Sequence, residues 1–296
     1  MTLHARAAPV TRMIVLLLVA GTIEVSVTAA TDAAASPVRL RTLRFVDRSR
    51  RAHFRNGASG PRVLVTEVRY PRRGNAPFPL IVFAHGFAET PHDYVRMLEA
   101  WARAGYIVAA PAFPLERPGA PGGPSRGDLD NEPGDLSFVI SRLTARGNPL
   151  QALVDSREIA VAGQSDGAVA ALAATYDRRY RDRRIDAAVI MSGAALPGFA
   201  EPPPGSPPLL AAQGTQDSFN SPSTTSYYFG LMRKPKFLLW LLGAAHLEPY
   251  TTNDRWAPIV RLATTRFLDH YLRGAPLRPL INAGTQPGIA RIVSEP

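Results

Sequence analysis

The chain contains no cysteine, and several motifs that would assign a metal or nucleotide site are also missing. Without cysteine it forms no disulfide bond and carries no lipid on an N-terminal cysteine, a composition that suits an exported protein. No spaced pair of histidines supports a zinc site, and no G-x-G-x-x-G or G-K-S/T loop supports a nucleotide site. The sequence therefore predicts neither a metal ion nor a cofactor.

An acidic segment, residues 128–135, departs from the pattern of a calcium-binding loop. Its glycine is the seventh residue, whereas such a loop needs glycine at the sixth, and Val139 stands where the bidentate glutamate belongs. We interpret the segment as a loop that caps the helix after it.

Positive charge is abundant but is not gathered into one site. The formal net charge is +10 at pH 7, yet the arginines are scattered through predicted loops and helix faces without aromatic residues between them. This distribution argues against nucleic-acid binding and indicates a generally cationic surface.

The N-terminus has the pattern of a signal peptide. Arg6 and Arg12 precede an apolar run at residues 13–23, which ends at Glu24 and is too short to span a bilayer. An uncleaved anchor is the weaker alternative. We expect a signal peptide over residues 1–30, a secreted or cell-envelope protein, and no integral membrane span after processing. Three cleavage sites fit the small-x-small rule: after Ala29, Ala30 or Ala35.

The rest of the chain predicts one α/β domain at residues 40–296, which follows a linker at residues 31–39. Apolar residues make up 46% of the sequence, enough for one large core at this length. Strands alternate with helices, which implies a mostly parallel twisted sheet with helices on both faces and an antiparallel hairpin at its start. The predicted strands are 40–46, 62–70, 78–84, 106–110, 159–163, 185–191, 209–213 and 237–242. The predicted helices are 92–104, 135–145, 168–174, 227–232 and 257–272.

The segment Gly-Gln-Ser-Asp-Gly at residues 163–167 has the G-x-S-x-G pattern of a nucleophile elbow. An apolar strand precedes it, and an alanine-rich helix follows it. In such an elbow a buried strand turns sharply into a helix, and the two glycines remove side chains where the backbone folds back. The pattern predicts that Ser165 is a nucleophile at the edge of the sheet. The alternative is an ordinary turn of small residues.

Two further reactive side chains, Asp217 and His246, follow later predicted strands. Sites in open parallel sheets gather at the carboxyl ends of strands, and the order Ser, Asp, His is the one expected for an elbow serine. Ser165 needs His246 to accept its proton, and Asp217 to orient the imidazole and stabilise its charged form. Glu248 and Asp254 are alternative acids, but both come after His246.

Two backbone N–H groups are predicted to stabilise a negatively charged oxygen. One belongs to Asp166, at the positive end of the elbow helix, and the other to Phe87, next to His85 and Gly86. The Asp166 carboxylate lies in the first helical turn, where the helix dipole favours it. We interpret His85 as a residue that shapes the loop.

Together these motifs resemble the α/β-hydrolase family. Within it the chain is similar to exported esterases of the dienelactone-hydrolase-like, platelet-activating-factor-acetylhydrolase-like and chlorophyllase-like groups. The resemblance implies ester hydrolysis through an acyl-enzyme without a cofactor. The chain departs from true dienelactone hydrolases, which use a cysteine nucleophile, and lacks the tryptophan that cutinase-like polyester hydrolases place after the residue matching Met191. The matching motifs are residues 45–50, 68–71, 79–87, 162–167, 214–217 and 245–246.

The sequence thus predicts a secreted serine hydrolase that cleaves a small-molecule or lipid-like carboxylic ester. The alternatives are a hydrolase of amides, thioesters or polyesters, and a non-catalytic binding protein on a hydrolase scaffold. We expect specificity to come from the loops at residues 111–127 and 192–208. The expected apolar walls of the pocket are Phe87, Phe113, Phe199 and Tyr250.

Overall fold

Within residues 37–296, a nine-stranded mixed sheet organises the chain. The computed structural model describes residues 1–2 and 37–296, so the predicted signal peptide and most of the linker lie outside the described residues. The elements below all belong to the unit Ala35–Pro296. No helix in this described part has the length and apolar composition needed to cross a bilayer.

The middle of the sheet is parallel, and both of its edges are antiparallel. The order across the sheet is β1-β2-β4-β3-β5-β6-β7-β8-β9. All pairs from β4 to β8 are parallel. The β1–β2 hairpin, the β2–β4 pair and the β8–β9 pair are antiparallel. The strands are β1 (Val38–His53), β2 (Ser59–Pro71), β3 (Phe78–Ala84), β4 (Ile107–Ala112), β5 (Val154–Gln164), β6 (Ala187–Met191), β7 (Leu209–Gly214), β8 (Lys236–Leu241) and β9 (Ala290–Glu295).

Helices cover both faces of this sheet, as the alternation of strand and helix patterns predicts. Side chains of α2, α3 and α4 pack in the apolar core on one face, and side chains of α1, α6 and α7 pack on the other. The helices are α1 (Val95–Arg103), α2 (Glu132–Thr144), α3 (Asp166–Tyr176), α4 (Pro222–Leu231), α5 (Glu248–Thr251), α6 (Ala257–Arg273) and α7 (Arg278–Gly284).

β3 shows why its sequence reads as a continuous apolar run. Every residue of the strand is buried. Leu80 and Val82 point into one core, whereas Ile81 and Phe83 point into the other. Successive strand residues face opposite sides, so a strand covered on both sides is apolar throughout. β3 pairs in parallel with β5, so the carboxyl ends of the two strands lie together.

The acidic segment that resembles a calcium loop binds a buried arginine instead. The Arg62 guanidinium is completely buried and lies 2.6 Å from Asp128 Oδ2 and 2.5 Å from Asp135 Oδ2. Burial alone would lower the pKa of Arg62, but its hydrogen bonds to the two carboxylates outweigh that effect and raise it. These bonds fasten the first turn of α2 and the residues just before it to strand β2, so the second half of the predicted loop is already helical. Within the described residues, no group of three or more His, Cys, Asp or Glu side chains is arranged to hold a metal ion.

The sequence-based prediction of the C-terminal region is incomplete. β8, predicted as the last strand, is followed by α7 and by β9, which pairs with it from Lys236↔Glu295 to Leu241↔Ala290. β9 is a short edge strand, and its pairing with a distant strand leaves no local pattern in the sequence. Helix α4 also begins earlier than predicted, with Pro222 in its first turn, a position where proline is favoured.

Candidate active site

Ser165 lies at the turn between β5 and α3, in a backbone conformation that non-glycine residues seldom adopt. Its φ and ψ are 53° and −122°. A Cβ atom on Gly163 would lie 2.2 Å from the Gly167 carbonyl oxygen, and one on Gly167 would lie 2.3 Å from the Ala84 oxygen. Only glycine therefore lets the strand and the helix approach closely enough to form this turn. The strained serine position is the geometry of a nucleophile elbow.

The structure brings Ser165, His246 and Asp217 into one hydrogen-bonded chain. His246 Nε2 is 2.8 Å from Ser165 Oγ, and His246 Nδ1 is 2.8 Å from Asp217 Oδ2. Ser165 follows β5, Asp217 follows β7 and His246 follows β8, so all three lie at the carboxyl edge of the parallel strands, with β6 between β5 and β7. This geometry fits transfer of the serine proton to a histidine that a carboxylate orients. Glu248 and Asp254, the alternative acids, make no recorded hydrogen bond to His246.

Asp217 is held as a carboxylate by a full set of donors. Its Oδ1 accepts the backbone N–H groups of Phe219 and Asn220, both at 2.9 Å. Its Oδ2 accepts Gln213 Nε2 at 3.1 Å in addition to His246. Burial alone would raise the pKa of Asp217, but the hydrogen bond and charge of His246 and the other donors outweigh it and lower the pKa.

The two predicted backbone donors both flank Ser165. Asp166 is the first residue of α3, and Phe87 lies in the loop after β3. No described residue accepts a hydrogen bond from either N–H group. The first N–H groups of a helix have no partner within the helix, which leaves the Asp166 amide available to a ligand oxygen.

Arg126 ties together the two residues that carry these amides. Its Nε donates to Asp166 Oδ2 at 2.5 Å, and its guanidinium lies 4.6 Å from the centre of the Phe87 ring. A cation over an aromatic face is attracted to the ring. Arg126 thus fastens the loop after β3 to the start of α3, although its own side chain is 60% exposed.

His85 acts on the loop through two hydrogen bonds. Its Nδ1 is 2.8 Å from the Gly86 carbonyl oxygen, and its Nε2 accepts the Phe113 N–H at 3.0 Å. Since a carbonyl only accepts, Nδ1 carries the proton. Burial lowers the pKa of His85 to about 4, so the ring is neutral near pH 7. These contacts are those of a residue that shapes the loop.

A small cleft of about 150 Å³ opens directly above Ser165. Its apolar wall consists of Phe87, Phe219 and Leu247. Phe219 is 78% exposed, and its ring centre lies 5.2 Å from that of His246. Glu89 and Arg126 supply its polar wall. The cleft is lined by Phe87, Glu89, Arg126, Ser165, Phe219, His246 and Leu247.

The prediction of the pocket walls is correct for Phe87 and wrong for the other three residues. Phe113 is completely buried against His85, and Phe199 is buried in the core under the sheet. Tyr250 is also buried, where its hydroxyl lies 3.0 Å from Ser192 Oγ. Likewise, the loop at 111–127 contributes Arg126 to the cleft, but the loop at 192–208 contributes no residue.

Four lining residues were missed by sequence reasoning: Glu89, Arg126, Phe219 and Leu247. Two of them could have been found from their positions, because Phe219 is two residues after Asp217 and Leu247 directly follows His246. Glu89 lies two residues after Phe87, and Arg126 belongs to the loop at 111–127, but no local pattern indicates that either side chain reaches the cleft.

A larger groove of about 870 Å³ lies elsewhere on the chain, around the residue that begins β8. It is lined by charges of both signs, including Arg181, Arg183, Asp186 and Glu201. It contains no serine that hydrogen-bonds to a histidine. The small cleft is therefore the candidate active site.

Comparisons with known proteins identify the fold. No protein-family model and no curated protein matches the chain. Among solved structures, it is similar to a ferulic acid esterase from Streptomyces cinnamoneus, with 24% sequence identity and a TM-score of 0.66. The match covers 83% of this chain and 93% of that one. The chain has the α/β-hydrolase fold.

Because 1211 chains of solved structures match, the α/β-hydrolase fold here is a widespread framework that does not specify a reaction. Any function must be argued from the cleft and its side chains.

Proposed function

We propose that the protein is a serine hydrolase that cleaves carboxylic esters through an acyl-enzyme. The observation that carries this proposal is the continuous hydrogen-bonded chain of Ser165, His246 and Asp217 at a nucleophile elbow. Two amides without protein partners beside the serine add the second requirement, a site for the oxyanion. The similar solved structure is that of a ferulic acid esterase, in keeping with this reaction.

In the proposed reaction, Ser165 Oγ attacks the ester carbonyl carbon while His246 Nε2 accepts the hydroxyl proton. Asp217 keeps the other imidazole proton on Nδ1 and stabilises the positive ring. The amides of Phe87 and Asp166 donate to the carbonyl oxygen as it becomes negative. His246 then returns its proton to the leaving alcohol, and water hydrolyses the acyl-enzyme by the same steps in reverse order.

The cleft supports a small or aromatic acyl group as the preferred substrate. A cavity of about 150 Å³ is the size that holds a benzene ring in a protein, and the cleft has that volume. Phe87 and Phe219 offer apolar ring surface to such a group. A long aliphatic chain would extend beyond the cleft into solvent.

We also propose that the protein is extracytoplasmic, because the first 30 residues have the signal-peptide pattern.

Turnover of p-nitrophenyl acetate and butyrate by the purified protein without residues 1–30 tests the reaction. We expect Ser165→Ala and His246→Ala to lose at least about a thousandfold in kcat. Asp217→Asn should lose activity while retaining the fold, because asparagine no longer holds the imidazole in the required tautomer.

Ser141→Ala is the matched control, since Ser141 is exposed on α2 and bonds only to the Ser137 carbonyl. A wild-type protein without esterase activity, or a Ser165→Ala variant as active as Ser141→Ala, would overturn the proposed function. The first result would favour a binding protein on a hydrolase framework.

A further inference from the structure

A second hydrogen-bonded chain lies beside the site and is not needed by the proposed chemistry. The Tyr94 hydroxyl forms a hydrogen bond with Glu89 Oε2 and lies 2.8 Å from Gln164 Oε1. Gly86 N–H donates to Glu89 Oε2 at 3.1 Å and to the Tyr94 oxygen at 3.3 Å. Gln164 Nε2 donates to the His246 backbone oxygen at 3.0 Å. This series of hydrogen bonds thus connects the loop that carries the Phe87 amide to the loop that carries His246.

The orientation of the Gln164 amide fixes the direction of this chain. The backbone oxygen of His246 only accepts hydrogen bonds, so the amide nitrogen of Gln164 must face it. Gln164 Oε1 then faces Tyr94, and it also only accepts. The single hydroxyl proton of Tyr94 is therefore donated to Gln164.

This assignment determines where the next proton lies. Once the Tyr94 proton is donated to Gln164, the contact between Tyr94 and Glu89 is a hydrogen bond only if Glu89 supplies the proton. If Glu89 were ionised, its carboxylate would accept the hydrogen bond of the Tyr94 hydroxyl. The oxygens of Tyr94 and Gln164 would then face each other at 2.8 Å with no proton between them.

The surroundings of Glu89 favour the protonated form. Burial is the largest influence and raises the pKa of Glu89, and the charge of Asp93 raises it further. The hydrogen bonds that Tyr94 and Gly86 can donate to the ionised carboxylate, and the charge of His246, lower it. Arg126 is the other charged side chain that lines the same cleft. Burial also raises the pKa of Tyr94 well above its ordinary value, so the phenol keeps its proton.

We propose that Glu89 is a positioning residue that works as a neutral carboxylic acid. Its O–H donates to Tyr94, Tyr94 donates to Gln164, and Gln164 holds the backbone of His246. Ionisation of Glu89 reverses the hydrogen bond between Glu89 and Tyr94, so Tyr94 no longer donates to Gln164. It also places a negative charge in the cleft where the oxyanion forms. The role of this residue in turnover rests on the proposed ester hydrolysis.

The pH dependence of kcat/KM for p-nitrophenyl acetate tests this role in the wild type, Glu89→Gln and Glu89→Ala. We expect wild-type activity to fall at high pH as Glu89 ionises. Glu89→Gln, which still donates to Tyr94 and has no charge to gain, should keep activity within about threefold at the optimum and lose the alkaline fall. Glu89→Ala should be roughly tenfold less active than the wild type at the optimum, because Tyr94 loses its donor, and should also lack the alkaline fall.

Tyr94→Phe provides a second variant that keeps the ring packing. Because both residues act in one chain, the double variant Glu89→Gln/Tyr94→Phe should be no less active than Tyr94→Phe alone. Additive losses, an alkaline fall that persists unchanged in Glu89→Gln, or a Glu89→Gln variant as inactive as Glu89→Ala would overturn the proposal.

Infrared difference spectroscopy separates this proposal from the proposed function, because it needs no turnover. The spectrum of wild type minus Glu89→Gln near neutral pH should contain a carboxylic-acid C=O band that moves to the carboxylate region at high pH. A carboxylate band alone near neutral pH would show that Glu89 is ionised and would overturn the proposal, whether or not the protein hydrolyses esters.

Discussion

Phe219 presents a nearly free aromatic ring beside the base of the candidate site. It exposes 78% of its surface, and its backbone N–H donates to Asp217, so the backbone that carries the ring is anchored to the acid. The ring lines the cleft together with Ser165 and His246, which under the proposed function is where the ester binds. The expected contact is with the acyl or alcohol group of the ester.

Replacement of this ring should change substrate preference more than chemistry. We expect Phe219→Ala to raise KM for aryl esters such as phenyl benzoate roughly tenfold, the equivalent of about 1.4 kcal/mol of lost ring contact, with a smaller change in kcat. Initial rates over an acyl series from acetate and benzoate to palmitate measure this effect.

Tyr227→Ala removes a comparable ring, 63% exposed on α4 and outside the cleft, and should leave these constants unchanged. Equal KM values for Phe219→Ala and wild type, or a wild type that prefers palmitate over acetate and benzoate, would refute the assignment of the small aromatic cleft.

Sequence reasoning locates the three side chains of the hydrogen-bonded chain better than it locates the pocket around them. The positions of Ser165, Asp217 and His246 could be predicted because each lies in the turn after a strand whose apolar pattern is clear, and parallel strands bring these ends to one edge of the sheet. Phe199 was misplaced because the path of a proline-rich loop depends on packing that the local sequence does not specify. The same limit hid Glu89, which the fold brings into one cleft with Ser165 and His246.

The nucleophile elbow is the element on which the site depends. β5 and α3 pass so closely that a methyl group on Gly163 would overlap the Gly167 carbonyl at 2.2 Å. The Ser165 N–H also donates to the Met191 oxygen at 3.0 Å, which anchors the turn to β6. The backbone of three neighbouring elements therefore determines the serine position.

Glycine substitutions test this dependence. We expect Gly163→Ala to reduce the free energy of unfolding by at least about 2 kcal/mol and to lower kcat strongly, since relief of the overlap moves the serine. Urea unfolding and ester turnover measure the two effects.

Gly230→Ala on α4 is the control, because nothing lies within 4 Å of its added methyl group. This change should be neutral or stabilising by up to about 1 kcal/mol, and activity should not change. A Gly163→Ala variant that is as stable and active as Gly230→Ala would be incompatible with a tight elbow.

Elements with strong periodic patterns could be predicted from the sequence, and those that depend on distant contacts could not. The buried strand β3 and helix α6 read clearly because one is apolar throughout and the other ends at Gly274, whose φ is 69°. β9 was missed since its residues alternate weakly and are ordered by pairing with β8. The short helix α7, with proline and glycine at its ends, likewise depends on packing against α6.

At the scale of the whole molecule, buried acids oppose folding at high pH. Glu116 and Glu132 are both completely buried. Burial, together with the charge of Asp166, raises the pKa of Glu116 to about 8, and burial and the charge of Glu116 raise the pKa of Glu132. At these two sites the folded state therefore binds more protons than the unfolded state, so their contribution to stability is least unfavourable below the ordinary glutamate pKa of 4.5 and becomes more unfavourable as pH rises through about 8.

Neutralising one of these acids should flatten the pH dependence. We expect Glu132→Gln to raise the free energy of unfolding at about pH 9 by at least about 1 kcal/mol relative to wild type, with a smaller gain at about pH 5. Thermal unfolding over this pH range measures the difference, and a gain of this size corresponds to a Tm rise of about 2–4 °C.

Glu201→Gln is the matched control, because Glu201 is 58% exposed in its pair with Arg233. It should follow the wild-type profile. If Glu132→Gln destabilises the protein most strongly at high pH, the buried Glu132 carboxyl does not oppose folding there.

Covalent labelling by a fluorophosphonate, with the labelled residue located by peptide mass spectrometry, tests the proposed nucleophile most directly. We expect one adduct on Ser165 in the wild type and in Ser141→Ala, with none in Ser165→Ala and much slower labelling in His246→Ala. An unlabelled wild-type protein, or a label on another serine that persists in Ser165→Ala, would contradict a serine nucleophile at this elbow.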